Sequence, residues 1–322
     1  MLRRRALTAV LLALAGLSLA EPAQAQDWPQ RPVRILVPFA AGGNADQVTR
    51  IIAQRLGEGF GQQFVVENRP GAAGAIATEA VARAPNDGYT LLMGSPPQIA
   101  IVPVLTKTTY NPVKDFSPVS NIGTNPFVLV VNPRVPAKTL AEFVDHVRGQ
   151  PNKLAYAAAG PGSLTHLTAA LFLKRAGVEM VAVQYKGNAP ALSDVVGGHV
   201  QAMFSNLSDA LPHAAAGTVR LLAVTSDKRA PKIPDVPTLI ESGYPGFKIL
   251  VWNGLFAPAG TPKDIVGRIA QEAGRAVRDP NVVKSFAAIG VDPLGSNQED
   301  FAATVTADIE LWAEAIKVAG VQ

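Results

Sequence analysis

The sequence predicts an α/β protein of two lobes, each a central sheet flanked by helices, and three observations carry that prediction. From residue 33 onward, short apolar runs alternate with stretches of helical period. A glycine-rich turn lies where the period changes, at 38–43 and again at 159–163. The strand and helix alternation runs once over 33–94 and starts afresh at 127.

The first 25 residues stand outside the pattern. Arg3, Arg4 and Arg5 precede the apolar run 6–20, and Ala23-Gln24-Ala25 is a small-x-small cleavage site, so 1–25 read as a secretory signal peptide cleaved after Ala25. The run is too short for a comfortable membrane span, and the residues after Arg4-Arg5 match the twin-arginine pattern poorly. The mature chain is expected to be exported and soluble, with Trp28 packed on the first lobe.

Val33, Ile35, Leu36 and Val37 open the first series as a buried strand, and Val48, Ile51, Ile52 and Leu56 recur at helical spacing to about Phe60. Strand 63–67 ends at Asn68-Arg69-Pro70-Gly71, helix 72–83 is rich in alanine, and the 84–88 turn precedes strand 89–94. This order predicts parallel pairing with right-handed crossovers. Ligands then sit beyond the carboxyl ends of the strands, at the loops after Val37 and Met93, which brings Ser95 to the rim. A helix near 99–106 follows.

The second series comprises strand 127–131, helix 140–148 with Thr139 as N-cap, strand 154–158, helix 164–176, strand 180–184 and helix 189–197. Short strands 202–204 and 221–225 flank 208–216, and an extended stretch at 247–256 leads to helices at 263–278, 286–289 and 301–318. The chain is expected to cross between lobes near 124–128 and 248–253. Lobe 1 is then 26–125 with 253–322, and lobe 2 is 126–252.

Charge and composition exclude several classes. Without 1–25 the count of 29 basic and 25 acidic residues becomes 26 and 24, a net charge near +2 and no nucleic-acid footprint. There is no cysteine, hence no disulfide, thiolate nucleophile or thiolate-bound metal. His146, His166, His199 and His213 show no metal spacing. No cofactor is expected.

The chemistry lies in the glycine turns. Phe39, Ala40, Gly42, Gly43 and Asn44 carry backbone N–H groups to the start of a helix, where the partial positive charge favours an anion. Asp46, in the first helical turn, either only complements the helix dipole or also fixes loop and ligand geometry. Gly160 to His166 repeats the junction, with Ser163 and Thr165 offering hydroxyls either to the helix start alone or to a carboxylate as well. Tyr185 and Lys186 end a strand nearby: the tyrosine is placed to line the cleft, and the lysine reads as solvated or as anion-attracting. Ser205 and Asn206 follow another strand end, and Trp252 either walls the cleft or packs in the second crossover. Neither turn has the lysine or third glycine of a nucleotide loop. Ser163 is not in a G-x-S-x-G elbow, and His166 reads as a structural residue, which leaves a hydrolase using Ser163 and His166 a weak rival.

The ordered set PFAAGGNAD, NRPGAAG, DGYTLL, GPGSLTHL, YKGNAPALSD, GGHVQAMF and WNGLFAPAGTP resembles the Bug or TctC family of periplasmic substrate-binding proteins over essentially the whole mature chain. The resemblance implies a type II-like Venus flytrap, not an enzyme, that closes on a small carboxylated organic acid. It further implies delivery to the large and small membrane subunits of a tripartite tricarboxylate transporter by a monomer in the periplasm. The loop from Phe39 to Asp46 would hold one carboxylate through main-chain groups and water, and Gly160 to His166 the other end of the ligand. Ala41, Asn44 and Gln184 depart from the family's usual residues, which blurs the ligand. A sensory protein presenting its ligand to a membrane kinase is the alternative to transport.

Overall fold

Of the residues in β1 (Val33–Val37) only Arg34 faces solvent, because the strand lies in the middle of a parallel trio. It pairs with β2 (Phe64–Asn68) and β3 (Thr90–Gly94), Ile35 lying opposite both Val66 and Leu91. The crossovers are α1 (Asn44–Phe60), which lays Val48, Ile52 and Leu56 against the sheet at helical spacing, and α2 (Ala75–Ala82). Trp28 is buried here, edge-on to Phe60 at 5.2 Å. The computed structural model describes residues 28–321, so the expected signal peptide and cleavage site lie outside the described residues.

The second helix starts later than its composition predicts. Ala72 and Ala73 take φ of 46° and 51°, and 72–74 form a tight turn before the regular helix begins at Ala75. Packing explains the delay: a Cβ on Gly74 would lie 3.0 Å from Pro38 and 3.1 Å from Gln98, so this turn wedges between two other loops. After Ser95 the chain makes one wide π-helical turn, Pro97–Ile101, and continues as α3 (Val102–Leu105).

The largest departure is β4 (Phe116–Val131), a 16-residue strand where the sequence predicts a boundary. Pro118, Gly123 and Pro126 look like breaks, but register shifts between Pro118 and Ser120 and between Asn121 and Gly123 absorb the irregularity. Beyond it come α4 (Leu140–Arg148), whose Glu142 N–H donates to the Thr139 hydroxyl, then β5 (Ala155–Ala158), α5 (Leu164–Ala176) and β6 (Val181–Gln184). They are followed by α6 (Asn188–Gly197), β7 (Ala202–Asn206), α7 (Leu207–Ala215), β8 (Arg220–Val224) and β9 (Leu250–Pro258). The chain closes with α8 (Lys263–Ala276), α9 (Pro280–Ala288), β10 (Asp292–Pro293) and α10 (Gln298–Ala319).

Among the described residues the strand order is β2-β1-β3-β9-β4-β7-β5-β6, with β8 and β10 also on β4. The first part of β4 pairs antiparallel with β9, from Phe116 opposite Pro258 to Pro126 opposite Leu250; its last five residues pair with β7. One strand thus pairs into both halves of the sheet. Helix α10 also serves both halves: Phe301 and Val305 pack with Trp252 and Phe256, whereas Trp312, Ala315 and Ile316 join the core of Leu129, Phe143, Phe172 and Phe204. The Trp252 indole meets Phe301 edge-on at 5.3 Å and donates to Asp308 at 2.6 Å. Burial pushes the Asp308 carboxyl up to about 6 despite that hydrogen bond.

The β9 to α10 contact leaves no room for a methyl group at Gly254, where a Cβ would run into the Phe301 ring. Gly254→Ala is expected to destabilise the protein by about 1–3 kcal/mol through overpacking. Urea unfolding of the two proteins measures this directly.

Candidate functional site

The turn after β1 is held from behind by a carboxylate. Asp46 is 3% exposed, accepts from the Gly42 N–H at 2.8 Å and from the Asn68 amide at 2.9 Å, and pairs with Arg50 at 3.0 Å. Asn68 also donates to the Phe39 carbonyl at 3.1 Å. Burial alone would raise the Asp46 pKa, but the bonds from Arg50, Gly42 and Asn68 outweigh it and hold the carboxyl below its ordinary value. Gly42, at φ +86°, gives the turn a backbone form that L residues rarely adopt. Gly43 caps α1 without a side chain, so the first N–H groups of the helix have no capping partner.

The facing turn is capped differently. The His166 N–H donates to the Ser163 hydroxyl at 3.3 Å, the Ala159 N–H to Thr165 at 2.9 Å, and the two hydroxyls lie 3.0 Å apart. His166 Nδ1 accepts from the Gly162 N–H at 3.2 Å, and burial lowers the pKa of the ring. The imidazole therefore braces the turn, and the Ser163 hydroxyl meets the His166 backbone rather than its ring.

Between the turns lies a cavity of about 530 Å³, within the range of small-molecule sites. Of the residues anticipated from sequence, Phe39, Gly43, Asn44, Ser95, Gly160, Ser163, Thr165 and Asn206 line it. Ala40, Gly42, Asp46, His166, Tyr185 and Ser205 do not. Asp46, Gly42 and His166 shape the turns, and the Tyr185 hydroxyl donates to Asp194 at 2.6 Å. Ser205 is buried behind Asn188, and Lys186 is exposed outside the cavity. Trp252 packs in the crossover with Phe301 and lies outside the lining.

Sequence reasoning missed Asn125, Asn188 and Asn253 and the aliphatic wall of Ile101, Val102, Leu105 and Val251. Asn125 and Asn253 are on β4 and β9, and the Asn253 amide donates to Asn44 at 3.0 Å. Two asparagines 1% exposed within apolar strands are the signal that was present, since buried amides need partners. Among the described residues that line the cavity, none carries an ionisable side chain, and no cluster of metal-ligating groups occurs among the described residues. The site can therefore hold an anion through amides, hydroxyls and helix N–H groups, and it offers no general base.

Residues 48–321 match the model of the tripartite tricarboxylate transporter family receptor. The chain belongs to this family. It is 35% identical to protein BugT of Bordetella pertussis over 99% of this chain and 98% of that protein. It is 38% identical to a Pseudomonas protein from the tcbD–tcbE intergenic region, over 98% of this chain and 94% of the relative. An R. palustris protein solved with adipate is 38% identical, with TM-score 0.80 over 92% of this chain and 99% of its own. MatC from Rhodopseudomonas palustris, solved with bound malate, is 34% identical, with TM-score 0.75 over 90% of this chain and 100% of its own. The TctC family consists of solute-binding receptors rather than enzymes, in agreement with the Ser163 and His166 geometry.

The depressed pKa makes the Asp46 contribution to stability pH-dependent. It is fully present above the ordinary aspartate value of about 3.9 and is lost as pH falls through the lower folded value. Asp46→Asn should therefore lower the melting temperature at pH 7 and show a smaller deficit near pH 3, as thermal unfolding at both pH values will measure.

Proposed function

We propose that this protein is a periplasmic receptor that captures a small carboxylated organic acid between two lobes and hands it to the membrane subunits of a tripartite transporter. The observation that carries the reading is the uncapped start of α1 opening on a cavity whose lining is uncharged. Family membership and the adipate and malate in solved relatives support it. In this reading the N–H groups of Gly43, Asn44 and Ala45, with water held by Phe39 and Ala40, take one carboxylate. Ser95, Gly160, Ser163, Thr165 and Asn206 meet the rest of the ligand. Asp46, Gly42, His166, Tyr185 and Ser205 keep those groups in place from behind.

The lobes of this proposal are 26–125 with 253–322 and 126–252, with α10 as a strap between them, and closure is driven by ligand contacts made only when both lobes are near. The receptor acts as a monomer delivered by the 1–25 signal peptide, and its partners are the large and small permease subunits. Neutral amides suit a transport receptor because the ligand leaves without breaking an ion pair.

A thermal-shift screen of organic acids tests the proposal, since an acid at 100 times its dissociation constant adds about 2.7 kcal/mol of stability. Ser163→Ala is expected to weaken the best acid and to cost about 1 kcal/mol of stability through the lost cap. Because no lining group titrates, affinity for a fully ionised acid should change by less than about twofold between pH 6.5 and 8.5. Calorimetry across that range checks this, and a steep pH dependence would contradict an uncharged site.

A further inference from the structure

The elements that join the two halves change sides at one level. On α10, Phe301 and Val305 belong to the core around Phe256, Trp312 and Ala315 to the core around Phe172, and Ile309 packs against both. On β9 the change falls between Trp252, in the first core, and Val251, packed on the second. On the π-helical turn it falls between Ile99 and Ala100, and β4 runs from Phe116 in the first core to Phe127 in the second. Together these passes mark a hinge level, where the chain must bend if the angle between the halves is to change.

Asp308 stands at that level on α10, partly buried, and ties the helix to β9 by accepting from Trp252 Nε1 at 2.6 Å. The Trp312 indole bears on the same carboxyl without reaching hydrogen-bond geometry, and its N–H is buried with no partner. Among the described residues no cation pairs with Asp308. Strands β4 and β9 and the π-helical turn contain no ionisable residue. On α5, His166 is tied to the Gly162 N–H, and Lys174 and Arg175 are exposed. On α10 itself the neighbours one turn away are Thr304, Val305, Leu311 and Trp312, while Glu310, Glu314 and Lys317 are exposed. An ionised Asp308 thus has one full hydrogen bond and no ion pair, a setting that suits the neutral acid better.

We propose that Asp308 is a proton-operated catch in the hinge: with the proton bound, the halves are held at the angle seen here, and its loss frees them to change that angle. The inference rests on the two-lobe reading of the chain and adds a control to it. Burial pushes the Asp308 carboxyl up to about 6, above the ordinary aspartate value of about 3.9. Between those values this arrangement binds a proton that one admitting water to the carboxyl does not. By linkage the proton favours this arrangement, and the preference is lost as pH rises through the folded value. An asparagine would serve the Trp252 N–H without a charge to bury, so what the carboxyl adds at this point is its proton.

Spin labels, one on each lobe, test this without any ligand. The chain has no cysteine, so Gln54→Cys and Lys186→Cys, both at exposed positions, take the labels alone. Pulsed electron resonance then reads the distribution of separations. Between pH 8 and pH 5 the population at the separation seen here should rise at least about twofold. Asp308→Asn, which keeps an acceptor for Trp252 and carries no charge, should hold that separation at both pH values, and Asp308→Glu should keep the response. A distribution that does not change with pH in the parent protein overturns the inference, as does a response that survives in Asp308→Asn. Should Asp308→Asn fail to fold, Trp252→Phe decides: loss of the engaged donor should move the transition to higher pH, and an unmoved midpoint overturns the inference. None of these outcomes touches the capture of organic acids, which the thermal-shift screen tests separately.

Discussion

Strands β4 and β9 run antiparallel through the middle of the molecule, and the floor of the cavity is made of their side chains. The ladder sets Asn125 opposite Val251 and Thr124 opposite Trp252, with Asn253 one step further along β9. The next part of β4 sets Phe127 opposite Asn206 on β7. Residues two apart on a strand share a face, so Asn125 falls beside Asn206 as a diagonal neighbour, within reach of a hydrogen bond. A one-residue slip in either pairing would carry the amides to the other face. Backbone hydrogen bonds therefore decide the polar floor, and α10, packed on both cores, holds the two halves to it.

The walls are decided by helix starts. Two junctions of similar composition are built to different ends. Ser163 caps its own helix, whereas Gly43 supplies no side chain and leaves the N–H groups of α1 to other partners. Asp46 completes the arrangement from behind. Its negative charge beside a helix start would oppose a bound anion, but Arg50 and Asn68 neutralise and orient it. The charge that shapes the turn is kept out of the lining. The result is an uncharged cavity that sets amides, hydroxyls and helix N–H groups beside an aliphatic wall, in which an anion would exchange water for oriented dipoles without ion pairing.

Much of this was legible in the residues. The change from strand to helical period marked both junctions, and Thr139 and Ser163 were readable as N-caps because capping is a local event. The continuous β4 was not readable. Its prolines and glycine are turn residues by local rule, and only pairing to β9 and β7 on its flanks makes an extended path the favourable one. The late start of α2 is similar: alanines favour helix, but Gly74 must fit between Pro38 and Gln98, which no local rule anticipates. Lys186, a natural candidate for an anion, is exposed outside the cavity, and Tyr185 before it is tied to Asp194.

The sequence by itself determined the alternation of strands and helices, the two glycine junctions, the near-neutral charge and the lack of any thiol, because each depends on residue type or on spacing within a few turns of chain. The tertiary structure alone decided that Asn44 meets Asn253 across 209 positions, that Asn125 meets Asn206 across 81, and that Asp209 orients Asn188. An asparagine reads the same in a loop, on a surface or in a cavity floor. What gives these amides their direction is the register of strands distant in sequence and a carboxylate contributed by a different helix.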